Sequence, residues 1–303
     1  MKSINHFFGV TVVVMAILMT ISGVTSAKEP IAPALAKGVS SIADVAGFAC
    51  VRSDMSREAT REEAMTDAKQ KAREYVISLI KARTATKKGS RKSDMVSAYV
   101  NGTIRVLGEP KEKWFKDPTQ GECCEVQVKM EVIPEGKKIE TLVKNMAAND
   151  PSVPLMVKVW TDKSSYKEGD KFRVFIKSNK SFYGTVVYQD ASGTKVQLLP
   201  NPYRKENYFE GNKEYELPSA ADKYDLVVTP PFGGEKITVF ASTSPLGELN
   251  TEPAGKVFLV TGSQEQIAAT TRSIKFVPKN NETGTPKAAE FFEATAELST
   301  GKK

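Results

Sequence analysis

Short runs of alternating apolar and polar residues dominate the second half of the chain. Glycine, proline, asparagine and serine separate these runs, which cover residues 155–159, 172–176, 225–229, 236–242 and 257–261. Alternation of this kind is typical of half-buried strands, and several short strands at this spacing indicate a two-sheet sandwich. We therefore predict an all-β, immunoglobulin-like sandwich over residues 154–300.

The first half of the chain predicts one helix among three strands. Residues 40–53, 100–107 and 122–133 alternate as strands. The T-x-x-E sequence of residues 60–63 has the spacing of a capping box, and apolar residues recur every three or four positions after it. We predict a small α+β domain over residues 40–134, with one helix on an antiparallel sheet.

Two further segments complete the predicted organisation. Residues 135–153 read as a short amphipathic helix followed by a proline-containing linker. Residues 288–299 fit a helix by the placement of their bulky apolar residues and a strand by their alternation, so both assignments stay open at this point.

The amino terminus has the three regions of a secretory signal peptide. Lys2 supplies the positive charge, an apolar run follows, and small residues end at Ala27. We predict cleavage after Ala27, a flexible mature terminus over residues 28–39, and a periplasmic or secreted protein with no stable membrane span after cleavage. An uncleaved membrane anchor is the alternative, since the apolar run approaches the length of a span.

Histidine usage limits the chemistry that the predicted mature chain can perform. The one histidine of the sequence is His6, inside the predicted signal peptide. Its loss excludes Ser-His-Asp and Cys-His mechanisms and removes the commonest metal ligand. A carboxylate pair from Asp162, Asp170 and Asp190 is the remaining enzymatic alternative, but each lies beside a turn, where aspartate serves turn geometry. We predict a protein that is not an enzyme and has no metal and no cofactor.

The formal charge of +7 leaves anionic partners open. Nucleic acid is a poor partner for an exported protein, so we predict none. A local cluster of cations, comprising Lys87, Lys88, Arg91 and Lys92, is a candidate contact for a polyanion. Runs of like charge are more often solvated loops, and we prefer that interpretation.

Three cysteines fall in the predicted α+β domain, and in an oxidising compartment one pair should form a disulfide. Cys124 shares a strand face with Val126 and is expected to be buried. Cys123 points the other way, so strand parity favours a Cys50–Cys123 disulfide, with Cys50–Cys124 as the rival.

An aromatic-rich loop follows the hairpin around the D-A-S-G turn of residues 190–193. Its rings, Tyr203, Tyr208 and Phe209, are a candidate ligand-binding surface, because tyrosine offers an apolar face and a polar tip. Alternatively, aromatics close the end of the sandwich. We favour a core position for Phe209 and an exposed one for Tyr203.

Two family resemblances follow from short motifs. The first is carried by G-x-A at residues 47–49, an alanine-rich helix, G-x-I at residues 102–104 and V-x-V-x-x-x-V from Val126. It resembles a small domain of LPP-twenty type outer-membrane lipoproteins and of flagellar assembly protein T. That resemblance implies an assembly or scaffold role and brings no catalytic residues.

The second resemblance covers residues 154–249, and its extension to residue 300 is left open. Its motifs are L-x-V-x-V-x-T-D (155–162), Y-K-E-G-D (166–170), D-A-S-G (190–193), L-L-P-N (198–201) and A-S-T-S-P-L (241–246). These are similar to the bacterial domain of unknown function 4384, a family of exported or membrane-linked proteins. The resemblance favours a strand over residues 288–299.

Together these observations predict an exported, non-catalytic protein that acts in binding or assembly at the bacterial cell envelope. Its expected partner is an envelope protein or a cell-wall polymer. The alternative is a glycan- or peptidoglycan-binding module that uses the loop aromatics. The oligomeric state is left open.

Overall fold

The described part of the protein is mostly antiparallel β structure with few helices, which confirms the β-rich fold that the alternating runs predict. The computed structural model describes residues 38–84, 90–136, 139, 150–255, 257–272 and 287–303, all within one compact unit. The helices are α1 (Arg57–Arg83), α2 (Ser90–Val100) and α3 (Gln264–Arg272). The strands up to the central hairpin are β1 (Val39–Cys50), β2 (Thr103–Asp117), β3 (Gly121–Ile133), β4 (Val157–Thr161), β5 (Ser165–Lys167), β6 (Lys171–Phe172), β7 (Val174–Ser178) and β8 (Phe182–Gln189). The strands after it are β9 (Lys195–Leu199), β10 (Tyr208–Phe209), β11 (Glu214–Leu217), β12 (Leu226–Val227), β13 (Gly234–Ser242), β14 (Thr251–Ala254), β15 (Val257–Val260) and β16 (Lys287–Gly301).

Eleven strands join in one continuous sheet. Nine of them follow the order β14-β15-β9-β8-β13-β16-β1-β3-β2, while β10 pairs with β8 and β5 pairs in parallel with β16. The other strands form a three-stranded sheet, β11-β7-β4, and a two-stranded sheet, β12-β6.

The long strand β16 connects the first part of the chain to the second. Its first residues pair with β1, where Val39 lies opposite Phe292, and most of its length pairs with β13, where Gly234 lies opposite Ser299. Residues 288–299 are therefore strand, the assignment that the family resemblance favours. Hydrogen bonding on both sides gives this segment the strand conformation that its alternation allows.

Helix α1 packs closely on β1, but it starts earlier than the T-x-x-E spacing predicts. Its N-cap is Ser56, whose hydroxyl accepts the N–H of Ala59 at 3.1 Å. Thr60 is buried within the first turn and donates its hydroxyl to the carbonyl of Ser56 at 2.9 Å. Gly47 permits the close approach of helix and sheet, since a Cβ there would lie 1.9 Å from the carbonyl oxygen of Ala64.

The structure contains a second helix that the sequence pattern did not predict. Residues 90–100 form α2, and the strand predicted from residue 100 begins instead at Thr103. Met95, Ala98 and Tyr99 are buried in the same core as α1, with the helical spacing of three and four residues. The short helix predicted over residues 135–153 lies largely outside the described residues, as do the predicted signal peptide and nearly all of the predicted mature terminus.

Three apolar cores hold these elements together. The first lies between α1, α2 and the β1-β3-β2 end of the large sheet. The second lies between the three-stranded sheet and one face of β8, β13 and β16, where Ile176 and Val239 belong to the same cluster. The third covers the opposite face and joins Phe240 and Phe291 to Leu246 and Ile267. None of the helices in the described residues has the length and apolar character needed to cross a membrane.

Candidate functional site

The predicted aromatic surface separates into one buried ring and two exposed rings. Phe209 is only 2% exposed and stacks on Phe182 with ring centroids 4.7 Å apart. Gly184 leaves the space for this ring, since a Cβ there would lie 2.9 Å from Phe209 Cε2. Phe209 therefore closes the second core and is not available to a ligand.

The two tyrosines keep about half of their surface in contact with solvent. Tyr203 is 46% exposed and Tyr208 is 50% exposed. Tyr203 stacks on Tyr224 at a centroid distance of 5.6 Å, and Tyr208 contacts Tyr183 at 5.2 Å. Each exposed ring is thus held by a second tyrosine, which reduces the conformational entropy that it would lose on binding.

A loop fixes the position of Tyr203. The side-chain oxygen of Asn201 accepts the N–H groups of Tyr203 and Arg204, both at 2.8 Å. The amide nitrogen of Asn201 donates to the carbonyl of Leu198 at 2.6 Å. This arrangement is an Asx turn, and it gives the L-L-P-N motif a structural role.

Another pair of rings lies on the outer face of the three-stranded sheet. Trp160 and Phe175 occupy opposed positions on β4 and β7, and their rings stack at 5.6 Å. Both are partly exposed, and Lys158 Nζ lies 5.1 Å from the Trp160 ring centroid. The alternation around residue 160 places Trp160 on the face opposite Val159, and its pairing with Phe175 follows from the register of β4 and β7.

The three candidate carboxylates all serve local structure. Asp162 Oδ1 accepts the N–H of Arg173 at 2.9 Å and the hydroxyl of Tyr166 at 2.8 Å. Burial opposes ionisation of Asp162, but these hydrogen bonds outweigh it and lower its pKa. Asp170 and Asp190 accept backbone N–H groups within their own turns. Each of the three carboxylates therefore accepts hydrogen bonds from groups close to it in the fold.

The cysteines adopt the arrangement that strand parity favours. Cys50 and Cys123 lie directly opposite each other on β1 and β3 and form a disulfide. Cys124 is a buried free thiol, and its burial raises the pKa of the thiol. Of the predicted polyanion contacts, Lys87 and Lys88 lie outside the described residues. The backbone of Arg91 and Lys92 belongs to α2, and nothing further is described for their side chains.

An open cleft of about 470 Å³ lies where the helical part of the protein meets the β-rich part. We call it the junction cleft. It is lined by Arg83, Pro151, Asn179, Lys180, Ser181, Gly211, Asn212, Thr243 and Glu290.

One buried carboxylate forms the floor of the junction cleft. Glu290 forms ion pairs with Arg83 and with Lys180, the latter at 2.8 Å, and accepts the N–H of Leu155 at 2.9 Å. Burial lowers the pKa of Lys180, although the charge of Glu290 opposes this shift. Sequence reasoning missed the cleft, because its charged residues are 110 and 207 positions apart along the chain.

The fold and these surfaces define a β-rich protein with paired surface aromatics and a cationic cleft. Residues 165–245 match the family model described as "Domain of unknown function (DUF4384)", which confirms the predicted resemblance over those residues. The match includes Tyr203, Tyr208 and Lys180 but neither Arg83 nor Glu290. No curated protein and no solved structure was found to match the chain.

Proposed function

We propose that this chain is an exported, non-catalytic protein that acts in binding or assembly at the bacterial cell envelope. The order of charged, apolar and small residues before Lys28 supports export. The absence of histidine after residue 6 and the turn contacts of the aspartates support a non-catalytic role. The two-layer packing around the second core supports an immunoglobulin-like sandwich as the binding scaffold.

The observation that carries the binding role is the pair of tyrosines at the surface of the matched segment. Tyr203 and Tyr208 expose about half of their area, yet each is held by contact with another ring. Tyrosine is enriched at interfaces because its ring offers a large area at low entropic cost. The proposed partner is an envelope protein or a cell-wall polymer.

A second candidate function is glycan recognition, with peptidoglycan as the ligand. It is favoured by the flat faces that the stacked Tyr203–Tyr224 pair presents, because sugar rings bind through their apolar faces. This candidate uses Tyr203 and Tyr208, and it excludes Phe209, whose ring is in the core.

Replacing Tyr203 and Tyr208 together by alanine should weaken partner binding at least about tenfold, as truncation of interface anchors does. The free energy of unfolding should change by only about 1 kcal/mol, since both rings are half exposed. Co-sedimentation with purified peptidoglycan sacculi measures the glycan function. Photo-crosslinking in cells from p-benzoylphenylalanine at position 203 or 208 detects a protein partner.

The matched control is Phe48, which is 36% exposed but lies on β1, outside the matched segment. Phe48→Ala should leave binding unchanged, and a crosslinker at position 48 should give no adduct. The binding role would be refuted if positions 203 and 208 gave no adduct and the unmodified protein did not sediment with sacculi. Sedimentation that is lost in the double variant identifies the partner as peptidoglycan.

Export has a separate test. Mass spectrometry of the protein purified from its native source should give a chain that begins at Lys28, as expected for cleavage after Ala27. A chain that retains Met1 would contradict cleavage, and recovery of the protein in the cytoplasmic fraction would contradict export.

A further inference from the structure

The charges that line the junction cleft do not cancel. Arg83 and Lys180 contribute two cations, and Glu290 is the one carboxylate among the lining residues. Asp150 lies nearby without lining the cleft, and its Oδ1 accepts the N–H and hydroxyl of Ser152 at 2.9 and 2.7 Å. The lining residues therefore carry one net positive charge, and Asp150 beside them offsets part of it.

Two hydroxyl groups in the cleft accept backbone N–H groups. Ser181 Oγ accepts the N–H of Gly211 at 3.1 Å, and Thr243 Oγ1 accepts the N–H of Glu290 at 3.0 Å. Each hydroxyl therefore keeps its own proton for another acceptor. Lys180 donates to the two oxygens of Glu290, at 2.9 and 2.8 Å, and keeps a third proton. A ligand with several hydrogen-bond acceptors would suit these groups of the junction cleft.

Backbone contacts hold the wall in place without the ligand. A Cβ at Gly211 would lie 2.7 Å from the carbonyl carbon of Lys180, so the segments that contain Gly211 and Lys180 touch through their backbones. Asn212 has a φ of 62° and donates its N–H to the carbonyl of Ser178 at 2.7 Å. Asparagine is among the residues that tolerate this left-handed conformation. The donors are thus positioned before a ligand arrives, which favours binding.

We propose that the junction cleft binds a phosphate group, with Arg83 and Lys180 as its charged contacts and Ser181 and Thr243 as its neutral donors. A phosphate has more acceptor oxygens than a carboxylate and suits donors that approach from several sides. The cleft, at about 470 Å³, is within the range of ligand pockets and larger than phosphate alone requires. The phosphate therefore belongs to a larger molecule, either a soluble phosphate ester or a phospholipid head group. This site is separate from the tyrosine surface and does not depend on the proposed function.

The test is titration calorimetry of the full chain with glycerol 3-phosphate, inorganic phosphate and acetate at constant ionic strength. We expect saturable binding of glycerol 3-phosphate, weaker binding of inorganic phosphate, and none of acetate. Arg83→Gln should weaken binding about tenfold or more, because it removes a charge-assisted contact. Ser181→Ala should weaken it less, and this exposed position keeps the ion pairs of Glu290 intact.

Arg173→Gln is the matched control, since Arg173 pairs with Glu216 on the surface and lies outside the cleft. Sedimentation with phosphatidylglycerol vesicles identifies the source of the phosphate. Vesicle binding that Arg83→Gln abolishes, without binding of the soluble ester, supports a lipid head group. Absence of both kinds of binding, or equal losses in Arg83→Gln and Arg173→Gln, would overturn the proposal.

Discussion

Replacing Glu131 by alanine is expected to lower the free energy of unfolding by about 3–5 kcal/mol, the cost of breaking a buried ion pair by removing one partner. Glu131 and Arg272 have side chains that are each 1% exposed, and Arg272 Nε donates to Glu131 Oε1 at 2.8 Å. Arg105 Nε donates to the second oxygen at 3.0 Å, and the hydroxyl of Ser40 donates to the first at 2.6 Å. Without Glu131, the guanidinium of Arg272 would lose its 2.8 Å contact, and its contact with Glu293 is longer, at 3.4 Å.

Urea unfolding monitored by circular dichroism measures this effect. Glu122→Ala is the matched control on the same strand, because Glu122 pairs with Arg57 at 3.4 Å on the exposed surface. Surface pairs contribute at most about 1 kcal/mol. Replacing Glu131 and Arg272 together by methionine should cost less than the sum of the single changes, since neither of these two buried charges is then left without the other. Equal losses in the free energy of unfolding for Glu131→Ala and Glu122→Ala would refute the stabilising role of the buried Glu131–Arg272 pair.

The same carboxylate gives the stability a defined pH dependence. Burial alone would raise the pKa of Glu131, but the charges of Arg272 and Arg105 outweigh it, and the pKa lies below its usual value. A lowered pKa means that the folded state binds the proton less tightly than the unfolded state does. The contribution of ionised Glu131 to the free energy of unfolding is therefore complete above its pKa in the unfolded chain, about 4.3. It is lost as the pH falls through the lower pKa of the folded state. The difference in stability between the unmodified protein and Glu131→Gln should shrink below about pH 4.

Removing the disulfide with the double change Cys50→Ala and Cys123→Ala should lower the free energy of unfolding by about 4 kcal/mol on the chain-entropy account. The two cysteines are 73 positions apart, so the bond closes a loop that contains α1, α2, β2 and the start of β3. Opening that loop increases the conformational entropy of the unfolded chain more than that of the folded one. Thermal melting under non-reducing conditions, compared with the unmodified protein, measures the loss.

Cys124→Ala separates this effect from the loss of a buried side chain. Cys124 packs in the first core and is outside the disulfide, so this variant should keep the bond and lose less stability. Thiol titration of the denatured, unreduced protein should find one free cysteine before this change and none after it. Three free thiols would contradict the disulfide, and a free thiol that persists in Cys124→Ala would contradict the pairing.

Local pattern was sufficient where neighbours along the chain decide the structure. Strand parity placed Cys123 and Cys124 on opposite faces, because side chains alternate at every residue of a strand. The D-A-S-G sequence formed the expected turn, in which Asp190 accepts the N–H groups of Ser192 and Thr194. Helix α2 was missed because its sequence is mostly polar and, among its described side chains, only Met95, Ala98 and Tyr99 are buried. The cations before and at its start, Lys87, Lys88, Arg91 and Lys92, favoured a solvated loop in the sequence.

The sequence by itself determined the alternating strands, the turns, the alanine face of α1 and the choice of cysteines, since each follows from backbone geometry over a few residues. Only the tertiary structure decided that β16 connects β1 to β13. It also brought Arg83, Lys180 and Glu290 into one cleft and Glu131 to Arg272. The physical reason is distance along the chain: these ion pairs join residues 110, 141 and 207 positions apart, and β16 pairs with strands that precede it by about 50 positions or more. Their formation depends on the closure of long loops, which no local pattern encodes.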